Sequence, residues 1–181
     1  MVLETSTAPR LVIDCAAVSR ADRVVVPGQG SMPACAEAMR KSGVEAALRE
    51  HVSRGAPVLG ICVGLQILFE RGEEGGGSAG LGILKGTVAR LPGEVKLPHI
   101  GWSPLRAEAG APPLFAPMDG AYVYFAHSYA APADAEGVAL TVTHGRPYCA
   151  ALAKGNLFAV QFHPEKSQNV GLDMLRRFVA V

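Results

Sequence analysis

The segment Val58–Gln66 constrains the fold of this chain most, because an apolar run there ends at a cysteine between two glycines. The run Val58–Ile61 predicts a strand buried on both faces, and Val63–Arg71 predicts a short helix. Cys62 would stand on a tight strand-to-helix turn, for which the glycines leave room. The N–H groups at the start of the helix would favour its thiolate form. A buried structural cysteine beside two packing glycines is the alternative.

A second motif, Gln161–Glu165, follows another apolar run, Leu157–Val160. His163 and Glu165 are two residues apart, so their side chains point to the same side of an extended segment. The proline between them disfavours helix for the residue before it. The carboxylate could orient the imidazole, which could take the proton of Cys62 and later deliver it to a leaving amine. Alone, the motif would also fit a surface turn with incidental charges.

A third motif, Pro27–Ser31, ends the strand predicted for Asp22–Pro27 and precedes a helical stretch, Ser31–Arg54, which Gly43 interrupts. Its glycines let the backbone turn N–H groups into a cavity. Together with the N–H of Val63, such donors could hold the oxyanion of a tetrahedral intermediate. A phosphate-binding loop or a plain turn would be the alternatives, but the Lys-Ser/Thr pair of a P-loop is missing.

Strands and helices alternate in the first half of the chain, and short strands dominate the second. A surface loop is predicted for Gly72–Gly82 and a closing amphipathic helix for Asn169–Val181. Further strands are predicted at Thr87–Leu91, Tyr122–Ala126, Val138–Thr143 and Asn156–Gln161. This order predicts an α/β fold, a three-layer sandwich with a central, partly parallel sheet.

Composition excludes several classes of protein. The chain of 181 residues has 49% apolar and 18% charged residues, enough for a buried core. The net charge of +1 argues against nucleic acid or an anionic membrane as a partner. No apolar stretch is long enough to span a bilayer, and the first ten residues lack a signal-peptide core, so a cytoplasmic location is predicted. The four cysteines lack zinc-site spacing, and no metal site is predicted.

These motifs resemble those of class I glutamine amidotransferases, whose fold has a flavodoxin-like core. The residues that carry the resemblance are Pro27–Gly30, Gly60–Gln66 and Phe162–Glu165. Within that family, the chain is similar to the glutaminase subunits of imidazole glycerol phosphate synthase, an enzyme of histidine biosynthesis. The discriminating stretches are Leu97–Trp102, Tyr122–Tyr129 and His163–Gln168. The resemblance runs from about Arg10 to the C-terminus.

The resemblance implies a Cys-His-Glu catalytic triad. Cys62 would attack the side-chain amide of glutamine, His163 would act as base and acid, and Glu165 would orient it. The amides of Gly30 and Val63 would supply the oxyanion hole. The enzyme would release glutamate and ammonia, and it would need no metal or organic cofactor.

The resemblance also implies a binding site for L-glutamine and a protein partner. The substrate-binding positions would be Gly28, Gln66, His127, Ser128 and Tyr129. The partner would be the cyclase subunit, in a heterodimer, and it would receive the ammonia for imidazole glycerol phosphate synthesis. Contact with it is expected near Pro98, His99 and Lys166.

The N-terminus departs from the family pattern. The family opens with an apolar strand ending in Asp-Tyr-Gly-x-Gly-Asn, which residues 1–9 do not show. We therefore expect an atypical segment at residues 1–9, an amidotransferase domain at residues 10–181, and no first strand–helix unit. That strand would be internal in the sheet. Three explanations stay open: a natural start further upstream, a damaged coding sequence, or closure of the gap by neighbouring strands.

Two other functions remain open at this stage. One is the glutaminase subunit of a different synthase, such as that for anthranilate or pyridoxal phosphate, although Leu97–Trp102 argues against it. The other is a truncated interaction protein that has kept the amidotransferase fold without its catalysis. The presence of all three triad residues favours an enzyme.

Overall fold

The computed structural model describes residues 15–181, which form alternating helices and strands followed by a mostly β half. The helices are α1 (Cys15–Arg20), α2 (Met32–Lys41), α3 (Val44–Ser53), α4 (Val63–Gln66) and α5 (Gln168–Val179). The strands are β1 (Val24–Gly28), β2 (Val58–Cys62), β3 (Phe69–Gly72), β4 (Ser78–Ala79), β5 (Leu84–Arg90), β6 (His99–Pro104), β7 (Arg106–Ala107), β8 (Tyr122–His127), β9 (Tyr129–Ala130), β10 (Val138–His144), β11 (Arg146–Lys154) and β12 (Leu157–Val160). Single 3₁₀ turns cover Glu74–Gly76, Ala116–Met118 and Pro164–Lys166.

Six strands form the main sheet, in the spatial order β1-β2-β12-β11-β10-β7. The first three are parallel, and each of the others is antiparallel to its neighbours. Gly28 at the end of β1 pairs with Cys62, and Ile61 pairs with Val160 at the end of β12. Because the carboxyl ends of parallel strands meet at one edge, this register brings all three sequence motifs together.

The main sheet is the middle layer of the molecule. Successive residues of β12 enter opposite apolar cores: Leu157 and Ala159 join one, Phe158 and Val160 the other. The first core includes residues of α2 and α3, and the second includes residues of α5. A strand buried on both faces needs this continuous apolar sequence. The predicted three-layer α/β sandwich with a partly parallel sheet is confirmed.

Local sequence signals explain the two helices before β2. The Ser31 hydroxyl accepts a hydrogen bond from the N–H of Ala34 at 3.4 Å, which caps the start of α2. Gly43 separates α2 from α3 and has a φ of 75°, a conformation that glycine adopts readily. The predicted interruption at this glycine is therefore confirmed.

The helix predicted for Val63–Arg71 is wrong beyond Gln66. Phe69–Gly72 forms β3 instead, which runs parallel to β5 in a second sheet of order β4-β3-β5-β9. Burial of Phe69 in this sheet outweighs the weak helical preference of a short segment. The surface loop predicted for Gly72–Gly82 contains a 3₁₀ turn and the short strand β4.

The two longest strands that the sequence did not predict are β6 and β11. β11 lies between β10 and β12 in the main sheet, and β6 pairs with β8 in a separate two-stranded ribbon. The buried centre of β11, Cys149–Leu152, is rich in alanine and has no β-branched residue. Such a segment has little intrinsic preference for a strand. It forms one because it pairs with β10 and β12 on either side.

Residues 1–14 lie outside the described part of the chain. The expected absence of a first strand–helix unit, the atypical segment at residues 1–9 and the domain start at residue 10 therefore stay predictions. Within residues 15–181, β1 forms one edge of the main sheet. That part of the chain contains no helix with the length and apolarity needed to cross a membrane.

Candidate active site

Cys62 stands at the turn between β2 and α4, with a φ of 55° and a ψ of −110°. A positive φ is unfavourable for a residue with a Cβ, so the surrounding packing must hold this turn. The neighbouring glycines permit that packing. A Cβ on Gly60 would lie 2.6 Å from the carbonyl oxygen of Gly64, and a Cβ on Gly64 would overlap the carbonyl oxygen of Val26.

The helix behind the cysteine is too short to act as a strong dipole. α4 spans only Val63–Gln66, whereas the sequence predicted a helix reaching Arg71. A single turn aligns few peptide dipoles, so its field at Cys62 is weaker than that of a helix reaching Arg71.

The loop after β12 brings His163 to the sulfur. The N–H of His163 donates to the carbonyl of Tyr124 at 2.9 Å, and its own carbonyl accepts from the Ser167 hydroxyl at 2.7 Å. Nδ1 of the imidazole donates to Oε1 of Glu165 at 2.8 Å. The imidazole is also hydrogen-bonded to Cys62. Since Glu165 takes Nδ1, the nitrogen left for the sulfur is Nε2.

The same contacts determine the protonation of the imidazole. The hydrogen bond to Cys62, followed by that to Glu165, raises the pKa of His163 to about 9, although burial opposes this shift. Burial acts to raise the pKa of Glu165, but the hydrogen bond from His163 and the charges of His163 and Lys166 outweigh it and lower that pKa overall. At neutral pH the site therefore holds an imidazolium between a carboxylate and a sulfur.

A cavity of about 380 Å³ opens at the sulfur, within the usual size range of small-molecule sites. All the predicted site residues line it except Glu165 and His99. The lining residues among them are Gly28, Gly30, Cys62, Val63, Gln66, Pro98, His127, Ser128, Tyr129, His163 and Lys166. Glu165 lies behind His163, as an orienting carboxylate would.

The two candidate oxyanion donors, Gly30 and Val63, both line the cavity, and β1 packs directly on the nucleophile turn. A Cβ on Gly28 would lie 2.6 Å from the Cβ of Val63. Gly30 has a φ of 90°, a backbone conformation that residues with side chains rarely adopt. The loop and the turn thus bring Gly30 and Val63 to the same cavity.

Gln66 lies beside Cys62 in the cavity wall and is almost fully buried. Its Nε2 donates to the carbonyl of Tyr129 at 2.8 Å and to Oε1 of Gln161 at 3.1 Å. Both amide hydrogens have acceptors in the protein, so Gln66 can offer a ligand only its carbonyl oxygen.

Sequence reasoning missed several polar residues of the site, among them Glu74 and Gln161. Glu74 lines the cavity, and its Oε2 accepts the N–H of Met32 at 2.8 Å. Gln161 is completely buried, with Nε2 3.7 Å from the sulfur of Cys62. No motif marks Glu74, which belongs to a glycine-rich loop. Gln161 belongs to the second motif, and its place directly before Phe162-His163 was the available signal.

His127 lines the cavity, and both of its ring nitrogens are hydrogen-bonded within the protein. Its Nδ1 donates to the carbonyl of Tyr129 at 2.8 Å, and its Nε2 accepts from the Tyr148 hydroxyl at 3.0 Å. Burial lowers the pKa of His127 to about 3, despite the hydrogen bond to the Tyr129 carbonyl, which acts to raise it. The ring is therefore neutral and has both nitrogens engaged.

The expected partner-contact residues separate into two groups. Pro98 and Lys166 line the cavity, whereas His99 is only 4% exposed. Nδ1 of His99 lies 2.7 Å from the Tyr148 hydroxyl, and its Nε2 lies 2.9 Å from the hydroxyl of Ser103. Any effect of His99 on a partner must act through exposed neighbours. The described residues contain no cluster of three or more His, Cys, Asp or Glu side chains that could hold a metal ion.

Comparison with known proteins identifies the family to which this chain belongs. A family model described as glutamine amidotransferase class-I matches residues 5–181. The imidazole glycerol phosphate synthase subunit HisH of Syntrophotalea carbinolica is 44% identical over 178 residues, covering 93% of this chain and 86% of that protein. The HisH subunit of Rhodopirellula baltica is 44% identical over 169 residues, covering 91% and 82%.

Solved structures agree on the fold. A glutamine amidotransferase crystal structure aligns with a TM-score of 0.73 at 21% identity, covering 96% of this chain and 86% of that one. PurLQS from Thermotoga maritima aligns with a TM-score of 0.65 at 20% identity, covering 88% and 79%. With the family model and the HisH relatives, these results show that the chain belongs to the class-I glutamine amidotransferases.

Proposed function

We propose that this chain hydrolyses the side-chain amide of L-glutamine to glutamate and ammonia, as the glutaminase subunit of an imidazole glycerol phosphate synthase in histidine biosynthesis. The observation that carries the proposal is that Cys62 and His163 interact at the wall of a cavity of substrate size, while Glu165 holds the imidazole from behind. The identity of 44% to HisH subunits over most of the chain supports the choice of synthase.

The first half of the reaction forms a thioester. The sulfur of Cys62 attacks the amide carbon of glutamine, and the carbonyl oxygen becomes an oxyanion facing the amides of Gly30 and Val63. The protonated imidazole of His163 gives its Nε2 proton to the departing nitrogen, the C–N bond breaks, and ammonia leaves. Glu165 stabilises the imidazolium before this transfer and holds its tautomer afterwards.

The second half returns the enzyme to its starting state. Neutral His163 accepts a proton from a water molecule that attacks the thioester carbon, and the same amides hold the second oxyanion. The C–S bond then breaks, and Cys62 leaves as a thiolate beside the restored imidazolium. Glutamate is the product.

The cavity offers acceptors to the α-ammonium of glutamine. Only the carbonyl oxygen of Gln66 is available to a ligand, and the carboxylate of Glu74 lines the same cavity. We assign the α-ammonium to these two acceptors. The backbone of Ser128 and Tyr129 and the charge of Lys166 are assigned to the α-carboxylate, and His127 contributes through its main chain.

Ammonia would pass to a cyclase subunit bound as a heterodimer, where it would meet a ribulosyl carboxamide nucleotide. An apolar patch suits this contact: Ile100, Trp102 and Tyr122 are all strongly exposed on the β6–β8 ribbon. Trp102 packs edge-on against Tyr124 at 6.1 Å, and the amine of Lys166, at the cavity wall, lies 5.8 Å from the same ring. The patch and the cavity are thus connected through Tyr124.

Glutamate release tests the proposal. The assay would combine this chain with the cyclase subunit of the same organism and its nucleotide ligand. We expect glutamate release that is lost in Cys62→Ala and retained in Cys35→Ala, a half-buried thiol outside the nucleophile turn. Release by the Cys62→Ala variant at the rate of the unmodified chain would contradict the proposed nucleophile. Rescue of a histidine auxotroph, and not of auxotrophs for other synthases, would test the pathway.

A further inference from the structure

Gln161 is a buried polar side chain in contact with the sulfur of Cys62. It directly follows β12, and it is completely inaccessible to solvent. Its backbone N–H donates to the carbonyl of Ala150 at 2.9 Å, which fixes the main chain at this position. Its Nε2 lies 3.7 Å from the sulfur, within hydrogen-bonding distance for sulfur. A buried amide is retained at such a position only where its polar atoms have partners.

The hydrogen bonds determine which end of the Gln161 amide faces the sulfur. The backbone carbonyl of Tyr129 can only accept, so the NH₂ group of Gln66 must face it at 2.8 Å. The second hydrogen of that NH₂ group is directed at Gln161, 3.1 Å away, and requires an acceptor there. Gln161 must therefore present its oxygen to Gln66, and its own NH₂ group points at the sulfur.

A second chain of hydrogen bonds holds the Tyr129 carbonyl in place. It accepts from Nδ1 of His127, whose Nε2 accepts from Tyr148, which in turn accepts from Nδ1 of His99. Burial lowers the pKa of His127 to about 3 and, with the charge of His144, that of His99 to about 4. Both rings therefore stay neutral near pH 7, and the direction of every bond in the chain is kept.

We propose that Gln161 is a further residue of the catalytic centre, whose amide N–H stabilises the thiolate of Cys62. The proposal rests on the proposed function, in which this thiolate is the nucleophile. A donor aimed at a sulfur stabilises its charged form relative to the thiol. The imidazolium of His163 also does so, but it loses its proton to ammonia during the reaction. Gln161 keeps its hydrogen throughout, so its stabilisation of the sulfur does not depend on the protonation state of His163.

Alkylation of Cys62 measures the thiolate without any need for glutamine turnover. The full chain would be treated with iodoacetamide over a range of pH, and the modified peptide containing each cysteine would be quantified by mass spectrometry. We expect Gln161→Met to move the half-maximal pH of Cys62 alkylation upward by about one unit and to slow it about tenfold below that pH. The exposed thiol of Cys15 reports on general accessibility, and its profile should not change.

A second variant covers the case in which Gln161→Met does not fold. Gln161→Glu keeps an oxygen for Gln66 but replaces the donor with a carboxylate, so it should move the half-maximal pH upward too. An unchanged Cys62 profile in the folded variant overturns the role of Gln161. If Cys62→Ala abolishes glutamate release while the Gln161 variants alkylate normally, only this inference fails. If Cys62→Ala remains active, the proposed nucleophile itself fails.

Discussion

Gly64 packs directly against the carbonyl oxygen of Val26, so that a Cβ at position 64 would overlap that oxygen. The contact joins the nucleophile turn to β1 through backbone atoms alone. It explains why a glycine follows Cys62 by two residues, and it holds the loop after β1 beside the amide of Val63. The same contact therefore holds β1 against the turn that carries Cys62.

The first prediction concerns this contact. Gly64→Ala should lower the free energy of unfolding by about 3 kcal/mol, because backbone atoms on both sides must move to admit a methyl group. Urea denaturation followed by circular dichroism measures the change. Gly93→Ala is the matched control: a Cβ there meets nothing within 4 Å, so a change within about 0.5 kcal/mol is expected. Equal stability of the two variants would show that no close contact between backbone atoms holds the turn.

The second prediction concerns acid. The pKa of His99 is lowered to about 4 and that of His127 to about 3, mainly by burial, from 6.5 in the unfolded chain. Between these values, the unfolded chain therefore binds more protons than the folded chain does. Burial of the two rings in their neutral form contributes fully to stability above about pH 6.5. This contribution is lost as the pH falls through about 4 for His99 and about 3 for His127. Between pH 7 and 5 the loss should reach up to about 4 kcal/mol.

Urea unfolding at pH 7 and pH 5 tests the acid prediction. The variants His99→Asn and His127→Asn keep a donor near the position of Nδ1 but do not titrate. In each of them, the difference in unfolding free energy between the two pH values should be about 2 kcal/mol smaller than in the unmodified chain. Equal differences in all three proteins would mean that neither imidazole is buried as a neutral group.

The third prediction concerns the alkaline limit of activity. Hydrogen bonds to Cys62 and Glu165 raise the pKa of His163 to about 9, so the proton needed by the departing ammonia should be lost above that pH. Glu165→Gln keeps an acceptor for Nδ1 but removes the charge. We expect the alkaline limb of glutamate release to move down by about one pH unit and the rate at pH 8 to fall about twofold. Glu136→Gln, which alters only a surface ion pair with Lys154, should keep the original profile.

The sequence contained enough to predict the motifs at the sheet edge. Val58–Ile61 and Leu157–Val160 are continuous apolar runs, and polar site residues follow each of them, which is the pattern of parallel strands buried on both faces. The positive φ of Cys62 also follows from its two glycines. These features depend on residues close together in the chain.

The parts that could not be predicted depend on contacts between distant residues. Gln66 and Gln161 are 95 positions apart, and only their hydrogen bond shows which end of each amide faces the site. β11 is held by strands on both sides and has little local preference of its own. Phe69 sits in a strand because of the second sheet, although its local sequence fits a helix.

The last prediction concerns Glu74, a cavity carboxylate that carries no sequence motif. Glu74→Gln keeps an acceptor for the N–H of Met32 but removes the charge assigned to the α-ammonium of glutamine. The KM for glutamine should rise about tenfold while kcat changes little, because the α-ammonium is bound alike in the ground state and the transition state. Glu73→Gln is the matched control, since that neighbouring carboxylate accepts the N–H of Arg90 at 2.8 Å and does not line the cavity. A fall in kcat at unchanged KM in Glu74→Gln would instead place its carboxylate near the reacting amide.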